Sequence, residues 1–212
     1  MKLAVLASGE GTNFQAIAEA ERLGHLGSAA LVLLVSDQPT ARALERAKQL
    51  GVPARIIDPV VHRSREVFDQ ALIRLLEEQG IELVALAGYM RVLSAPVVQR
   101  FRGRLINIHP ALLPSFPGAH AIRDALRHGV KMTGVTVHYV DEGVDTGPII
   151  AQESVPVLSD DTEETLAARI HVVEHRFYPD MLRQIAEGRV RLDGRRVVVT
   201  VAAGSAARAD RR

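Results

Sequence analysis

Short apolar runs alternate with amphipathic stretches across the first half of this 212-residue chain. The runs are short, aliphatic and bounded by turn residues, which is typical of buried strands; they cover residues 3–7, 31–35, 54–57, 83–87 and 105–108. Helical periodicity marks the stretches between them, at residues 14–23, 40–51, 65–79 and 94–101. This alternation predicts βαβ units, and therefore an α/β fold with a mostly parallel, twisted sheet and helices on both faces.

The pattern changes after about residue 130. Residues 132–140 and 148–157 form two extended runs with a short link, which predicts an antiparallel C-terminal extension of the sheet. A long helix should follow, with Asp161 and Glu164 as a capping box and an interruption or kink at Pro179.

The last part of the chain should form a small hairpin around Asp193-Gly194, from residues 190–192 and 197–201. Beyond it, Ala, Arg and Gly occur without periodicity. We expect a single domain over residues 1–202 and a disordered tail over residues 203–212.

Composition excludes several functional classes. The absence of cysteine excludes disulfides, thiolate metal sites and a Cys nucleophile. A net charge of +1 argues against a nucleic-acid partner. The apolar runs are far shorter than the ~20 residues of a membrane span, and the N-terminus lacks a signal-peptide pattern. We expect a cytoplasmic protein with no membrane partner, and leave its assembly open between monomer and homodimer.

A glycine-rich loop, residues 8–13, joins the first strand to the first helix. Its glycines allow a tight turn, and the N-terminus of the helix offers free N–H groups to an anion. It is not the dinucleotide fingerprint, because Phe14 occupies the third glycine position, and no Lys follows as in a P-loop. A plain strand-to-helix turn with a capping residue remains the alternative.

Two polar residues end the fifth apolar run. Asn107 and His109 are two apart on a strand, so both side chains project to one face. Pro110 ends the strand and places the pair at the carboxyl edge of the sheet. An amide beside an imidazole can stabilise an oxyanion and transfer protons. The alternative is a hydrogen-bonded histidine at a strand end.

The loop of residues 141–148 is shaped by glycines and carries carboxylates. A carboxylate placed beside a histidine would raise the pKa of the imidazole. A solvated turn is the alternative, and the spacing does not fit an EF-hand. His138 is interpreted as packing against the sheet, and His171 with Glu174 as a surface ion pair. No motif has metal-ligand spacing, and no Gly-x-Ser-x-Gly elbow is present.

Four segments in order make the chain similar to the folate-dependent formyltransferases over about residues 1–200. They are Ser8-Gly9-Glu10-Gly11-Thr12-Asn13, Ala87-Gly88-Tyr89-Met90-Arg91, Asn107-Ile108-His109-Pro110-Ala111-Leu112-Leu113-Pro114 and Asp141-Glu142-Gly143-Val144-Asp145-Thr146-Gly147-Pro148. Among these enzymes, the glycine loop and the length resemble the branch that formylates glycinamide ribonucleotide in purine biosynthesis. The resemblance implies a Rossmann-like formyltransferase fold, 10-formyltetrahydrofolate as cosubstrate, and no metal.

The resemblance also implies roles for individual residues. The catalytic residues would be Asn107, His109 and Asp145. The ribonucleotide would be bound by Gly11, Thr12, Asn13, His171, Val172, Val173 and Glu174. The cosubstrate would be bound by Arg65, Met90, Arg91, Val92, Leu93, Asn107, Asp141, Glu142, Gly143, Val144 and Asp145. Asn107 and a protonated His109 would stabilise the oxyanion formed when the substrate amine attacks the formyl carbon, while Asp145 keeps His109 charged.

Three alternatives stay open at this point. A formyltetrahydrofolate deformylase shares the catalytic residues and delivers the formyl group to water, but resembles this chain less because it carries an additional N-terminal domain. A methionyl-tRNA formyltransferase has similar central motifs with a basic C-terminal domain. A non-catalytic nucleotide-binding module would account for the glycine loop and not for the catalytic residues.

Overall fold

The computed structural model describes residues 1–62 and 64–200. The tail predicted over residues 203–212 and the end of the predicted domain therefore lie outside the described residues. The strands are β1 Lys2–Leu6, β2 Ala30–Ser36, β3 Ala54–Ile56, β4 Leu83–Leu86, β5 Leu105–His109, β6 Met132–Tyr139, β7 Ile149–Pro156, β8 Val190–Asp193 and β9 Arg196–Val199. The helices are α1 Thr12–Arg22, α2 Arg42–Leu50, α3 Arg65–Glu78, α4 Ala95–Arg100, α5 Ala121–His128 and α6 Glu163–Ala186.

The main sheet has seven strands in the order β3-β2-β1-β4-β5-β6-β7. Strands β1 to β5 are parallel, while β6 and β7 extend the sheet antiparallel. A two-stranded antiparallel hairpin, β8 and β9, follows at the C-terminal end. The predicted α/β class, the antiparallel extension and the hairpin are confirmed. The strand order reverses between β1 and β4, which opens a crevice at their carboxyl ends.

Helices cover both faces of the sheet. On one face Phe14 of α1 and Ile170 of α6 belong to one apolar cluster, and on the other Phe68 and Leu72 of α3 belong to a second. The side chains of β1 alternate between the two clusters, so residues 3–6 are all without solvent exposure. Burial on both sides explains why β1 is a continuous apolar run rather than an alternating one.

Two local predictions were incomplete or wrong. Helix α5 was not predicted, because it is only eight residues long and turns the small side chains of Ala121 and Ala125 inwards. The N-cap of α6 is Thr162, which forms a capping box with Thr165, and not Asp161. The Asp161 carboxylate instead pairs with the Arg169 guanidinium at 2.8 Å, and its pKa is far below the ordinary value because Arg169 donates hydrogen bonds to it.

Of the interruption or kink predicted at Pro179, the interruption is wrong, because α6 continues from Glu163 to Ala186. A proline inside a helix loses one backbone hydrogen bond and costs about 3 kcal/mol. Pro179 is buried, as are its neighbours on the helix, Tyr178, Met181 and Leu182. Burying each large apolar side chain contributes about 1.5–3 kcal/mol, so the packing of this segment offsets the cost.

Candidate active site

A crevice of about 530 Å³ lies at the carboxyl ends of β1, β4 and β5. The glycine loop and α6 form one wall, and the loop after β6 forms another. Asn107, His109 and Asp145 line it together with Glu174. The structure therefore brings the predicted catalytic residues into one cavity with the glycine loop.

The pairing of β5 with β6 positions the Asn107 amide. Asn107 lies directly opposite His138 in the antiparallel ladder. The Asn107 Nδ2 atom is 3.1 Å from His138 Nε2 and 3.3 Å from Asp145 Oδ1. His138 Nδ1 faces the Tyr139 carbonyl oxygen at 2.9 Å, so Nδ1 carries the hydrogen and Nε2 accepts. Both Asn107 amide hydrogens thus have acceptors, and the longer bond, to Asp145, is the one most easily exchanged.

His138 is a site residue that the sequence analysis missed. It was interpreted as packing against the sheet, whereas it lines the crevice and its Nε2 atom is 3.6 Å from Asp145 Oδ1. The alternation along β6 places Val135 and Val137 on the opposite face. That alternation was visible in the sequence, but only the register with β5 shows that His138 faces Asn107.

Both ring nitrogens of His109 face oxygen acceptors. Nε2 lies 2.8 Å from the Phe116 carbonyl oxygen, and Nδ1 lies 3.3 Å from Asp145 Oδ2. Burial lowers the pKa of His109; Asp145 and the Phe116 carbonyl raise it, the charge of His138 lowers it further, and the net pKa is below the ordinary value. The predicted raised pKa is wrong, because the imidazole is buried as well as paired. A second proton on the ring would nevertheless find an acceptor at each nitrogen.

Asp145 is held ionised in a left-handed backbone conformation, with φ 54°. Burial raises the pKa of its carboxyl. At the low pH where this carboxyl titrates, a hydrogen bond from the protonated His138 ring, the Gly118 N–H and the charges of protonated His109 and His138 lower that pKa to about 2. The Gly118 N–H donates to Oδ2 at 2.7 Å. A non-glycine residue in this conformation costs about 1–3 kcal/mol, and an unconstrained loop would relax out of it. The surrounding hydrogen bonds therefore hold the Asp145 carboxylate in place.

The first turn of α1 faces the crevice from the other side. Gly11 takes a left-handed conformation with φ 71°, and the backbone N–H groups that begin α1 follow it. Asn13 Nδ2 donates to the Glu174 carboxylate at 2.9 Å. Glu174 is buried; burial raises the pKa of its carboxyl, while Asn13 and His171 lower it less. This wall offers free N–H groups to an anion and a buried carboxylate to hydrogen-bond donors.

The outer part of the crevice is apolar and exposed. Met90, Val92 and Val144 are all exposed and line it. The Met90 N–H donates to the Ser8 hydroxyl at 2.9 Å, which connects this segment to the glycine loop. Exposed apolar side chains around a polar centre are typical of a ligand site.

Four predicted binding residues do not line this cavity. Arg65 donates to the Val92 carbonyl oxygen at 3.0 Å and so contacts the exposed segment of Met90 and Val92 through its backbone. Glu142 turns to Gln99, whose amide donates to it at 2.9 Å. Val172 is exposed and Val173 packs against the core. The cavity wall on α6 is therefore formed by His171 and Glu174 alone among the predicted residues.

The residues that the structure describes contain neither a metal-binding cluster nor a membrane-spanning helix. No group of three or more His, Asp or Glu side chains there is arranged to hold a metal ion. Within the same residues, no helix combines the length and apolar character needed to cross a bilayer.

Fold and site together define an α/β enzyme in which an amide–imidazole–carboxylate cluster and the first turn of α1 line one crevice. Residues 1–182 match the family model described as formyl transferase. The phosphoribosylglycinamide formyltransferase of Bacillus subtilis (strain 168) is 46% identical over 184 residues, 87% of this chain and 94% of that protein. The chain belongs to the formyl transferase family.

The solved structures that resemble this chain include a transformylase and a deformylase. The glycinamide ribonucleotide transformylase 1 of Symbiobacterium toebii is 49% identical with a TM-score of 0.92, covering 95% of this chain and 94% of that one. A formyltetrahydrofolate deformylase of Pseudomonas syringae pv. tomato str. DC3000 is 28% identical with a TM-score of 0.86, covering 94% of this chain and 66% of that one. The fold is thus common to transferase and deformylase, and the higher identity favours the transferase.

Proposed function

We propose that this chain transfers the formyl group of 10-formyltetrahydrofolate to the amine of glycinamide ribonucleotide, a step of purine biosynthesis. The observation that carries the proposal is the shared crevice: the Asn107–His109–Asp145 cluster and the first turn of α1 line the same cavity. A hydrolase needs only a water molecule beside the formyl carbon. The first turn of α1 gives the crevice a further polar wall, suited to a phosphorylated amine, and this favours the transferase over the hydrolase.

The two substrates occupy different parts of the crevice in this proposal. The ribonucleotide phosphate binds the N–H groups of Gly11, Thr12 and Asn13 at the start of α1, where the helix dipole favours an anion. Glu174 accepts hydrogen bonds from the sugar or the amide of the same substrate, with His171 beside it. The folate lies against the apolar rim of residues 90–93 and the loop of residues 141–145.

The reaction starts when the neutral substrate amine attacks the formyl carbon. The carbonyl oxygen becomes an oxyanion, and the Asn107 amide donates to it by exchanging its 3.3 Å bond to Asp145. The attacking nitrogen, now positively charged, gives a proton to His109 Nε2, which leaves the Phe116 carbonyl oxygen to accept it. The His109 imidazolium then protonates the folate nitrogen, the bond between that nitrogen and the formyl carbon breaks, and the carbonyl re-forms on the product.

The lowered pKa of His109 suits this sequence of proton transfers. An imidazole that is neutral in the free enzyme can accept the proton from the attacking nitrogen. The ionised Asp145, with its Oδ2 atom 3.3 Å from His109 Nδ1, stabilises the imidazolium once it forms. Protonation of His109 therefore follows the attack rather than precedes it, which revises the role expected from the sequence.

Replacing Asp145 with asparagine is expected to lower the pKa of His109 further, because the carboxylate is a group that raises it. The imidazole then loses its proton at a lower pH than in the unmodified protein. NMR titration of the His109 ring measures the midpoint, and the acid limb of kcat against pH should move in the same direction.

Glu142→Gln is the matched control for that titration, since Glu142 lies on the same loop and turns to Gln99. It removes a carboxylate without altering the partner of the imidazole. An unchanged His109 midpoint in Asp145→Asn would contradict the assigned electrostatic role.

The proposal is tested by supplying both substrates and measuring formylated ribonucleotide. We expect product only when both are present. Glycinamide riboside, which lacks the phosphate, should be formylated with a kcat/KM at least about 10²-fold lower, because the N-terminal turn of α1 then has no anion to hold. Equal kcat/KM for the two amines would show that α1 does not bind the phosphate.

A further inference from the structure

The Tyr178 hydroxyl lies inside the protein, against the backbone of β4 and β5. Tyr178 belongs to α6, is completely buried, and follows Glu174 by one helical turn. Its hydroxyl is 3.0 Å from the Leu86 carbonyl oxygen and 3.0 Å from the Ile106 carbonyl oxygen. A hydroxyl has one hydrogen, so Tyr178 shares it between the two carbonyls.

The two carbonyls belong to neighbouring strands that lead into the site. The Ile106 carbonyl is part of the peptide that joins Ile106 to Asn107. The Leu86 carbonyl is at the end of β4, four residues before the apolar rim that begins at Met90. Leu86 and Asn107 are paired across β4 and β5. A single hydroxyl therefore fixes the backbone directly before the oxyanion donor and before the cosubstrate rim.

Helix α6 also connects the Tyr178 hydroxyl to the wall of the crevice formed by the first turn of α1 and Glu174, where the ribonucleotide binds in the proposed function. Glu174, one turn before Tyr178, accepts a hydrogen bond from Asn13 of α1. The position of α6 against β4 and β5 consequently sets the distance between that wall and Asn107. A phenylalanine in place of Tyr178 would fill nearly the same volume, but it could not bond the two carbonyls.

We propose that Tyr178 is a positioning residue for Asn107, acting through the backbone of β4 and β5 and without contact to either substrate. The inference rests on the proposed function, since it assigns the Tyr178 hydroxyl to the alignment of the oxyanion donor in formyl transfer. Alignment is the relevant effect because a displacement of about 1 Å in a reacting group can cost about 10²-fold in rate.

Tyr178→Phe is expected to lower kcat by at least about 10-fold with the protein still folded at the assay temperature, as checked by thermal unfolding. The matched control is Tyr139→Phe. Tyr139 is also buried, which raises the pKa of its hydroxyl, and this hydroxyl makes no hydrogen bond to the residues that the structure describes. Tyr139→Phe should leave kcat within about twofold of the unmodified protein.

The decisive measurement repeats Tyr178→Phe in an Asn107→Ala background. If the hydroxyl acts through Asn107, its removal should lower kcat much less there, so that the two effects are not multiplicative. An equal fold-loss in both backgrounds would overturn the proposal in favour of a merely structural role, as would an unchanged kcat in Tyr178→Phe alone. An unmodified protein that forms no formylated ribonucleotide would instead overturn the proposed function, and is measured first.

Discussion

Replacing His109 with alanine is expected to lower kcat by at least about 10²-fold while ribonucleotide binding changes little. The imidazole is the group that takes the proton from the attacking nitrogen and returns it to the leaving folate nitrogen. It lies next to Asp145, and its replacement leaves Gly11, Thr12 and Asn13 at the start of α1 unchanged, so the phosphate site is left intact. Steady-state kinetics measures kcat, and calorimetry measures binding of the ribonucleotide to the folded variant.

Three further variants sharpen this result. His25→Ala, which removes an exposed histidine away from the crevice, should keep kcat unchanged. Asn107→Ala should also lose about 10²–10³-fold in kcat, and the double variant should lose less than the product of the two, because both residues serve one intermediate. A folded His109→Ala protein with nearly normal kcat would remove His109 from the mechanism.

Replacing Gly11 with alanine is expected to raise the KM for the ribonucleotide by at least about 10-fold, with cosubstrate binding unchanged. Gly11 has φ 71°, where an L-residue costs about 1–2 kcal/mol. Its added Cβ would lie 2.6 Å from the Cβ of Ala43 and 2.7 Å from its Cα, so α1 or α2 must move. Each 1.4 kcal/mol lost from binding is tenfold in affinity, and the displaced N–H groups are those proposed to hold the phosphate.

Gly51 provides the matched control, because it has the same φ of 71°, does not line the crevice, and a Cβ there would meet nothing within 4 Å. Gly51→Ala should leave the KM for the ribonucleotide close to that of the unmodified protein. The added Cβ of Gly11→Ala would clash with Ala43 of α2 and not with the ligand. The expected rise in KM therefore comes from displacement of α1 and not from direct blocking of the site. Loss of cosubstrate binding in Gly11→Ala, with ribonucleotide binding retained, would reverse the assignment of the two halves of the crevice.

The elements that could be predicted from the sequence are those with the most deeply buried apolar side chains. β1 and β4 were predictable to within a residue because helices cover both faces of the central sheet, which makes each strand a continuous apolar run. Helix α5 carries little such signal, since its buried side chains are alanines. Helix α6 continues through Pro179 because Tyr178 and Leu182 pack in the core. This is a tertiary effect, so helix propensity read from the local sequence does not predict it.

The site was predictable where it depends on one strand, and not where it depends on pairing or burial. The two-residue period along β5 placed Asn107 and His109 on one face. The approach of His138 to Asn107 needs the register of β5 against β6, which involves residues far apart in the chain. The direction of the His109 pKa needs its burial, since the charge of Asp145 alone predicts a rise and desolvation produces a net fall.

The fate of the formyl carbon tests the proposed activity most directly. The protein is incubated with 10-formyltetrahydrofolate labelled in the formyl group, with and without glycinamide ribonucleotide, and the label is followed in formate and in the ribonucleotide. An amine held at attack distance can gain an effective molarity of ~10⁵ M or more. Formate should therefore form very slowly from the folate alone, while the ribonucleotide should accelerate folate turnover by orders of magnitude and carry the label. Rapid release of labelled formate that is unaffected by the ribonucleotide would contradict the transferase and identify a deformylase.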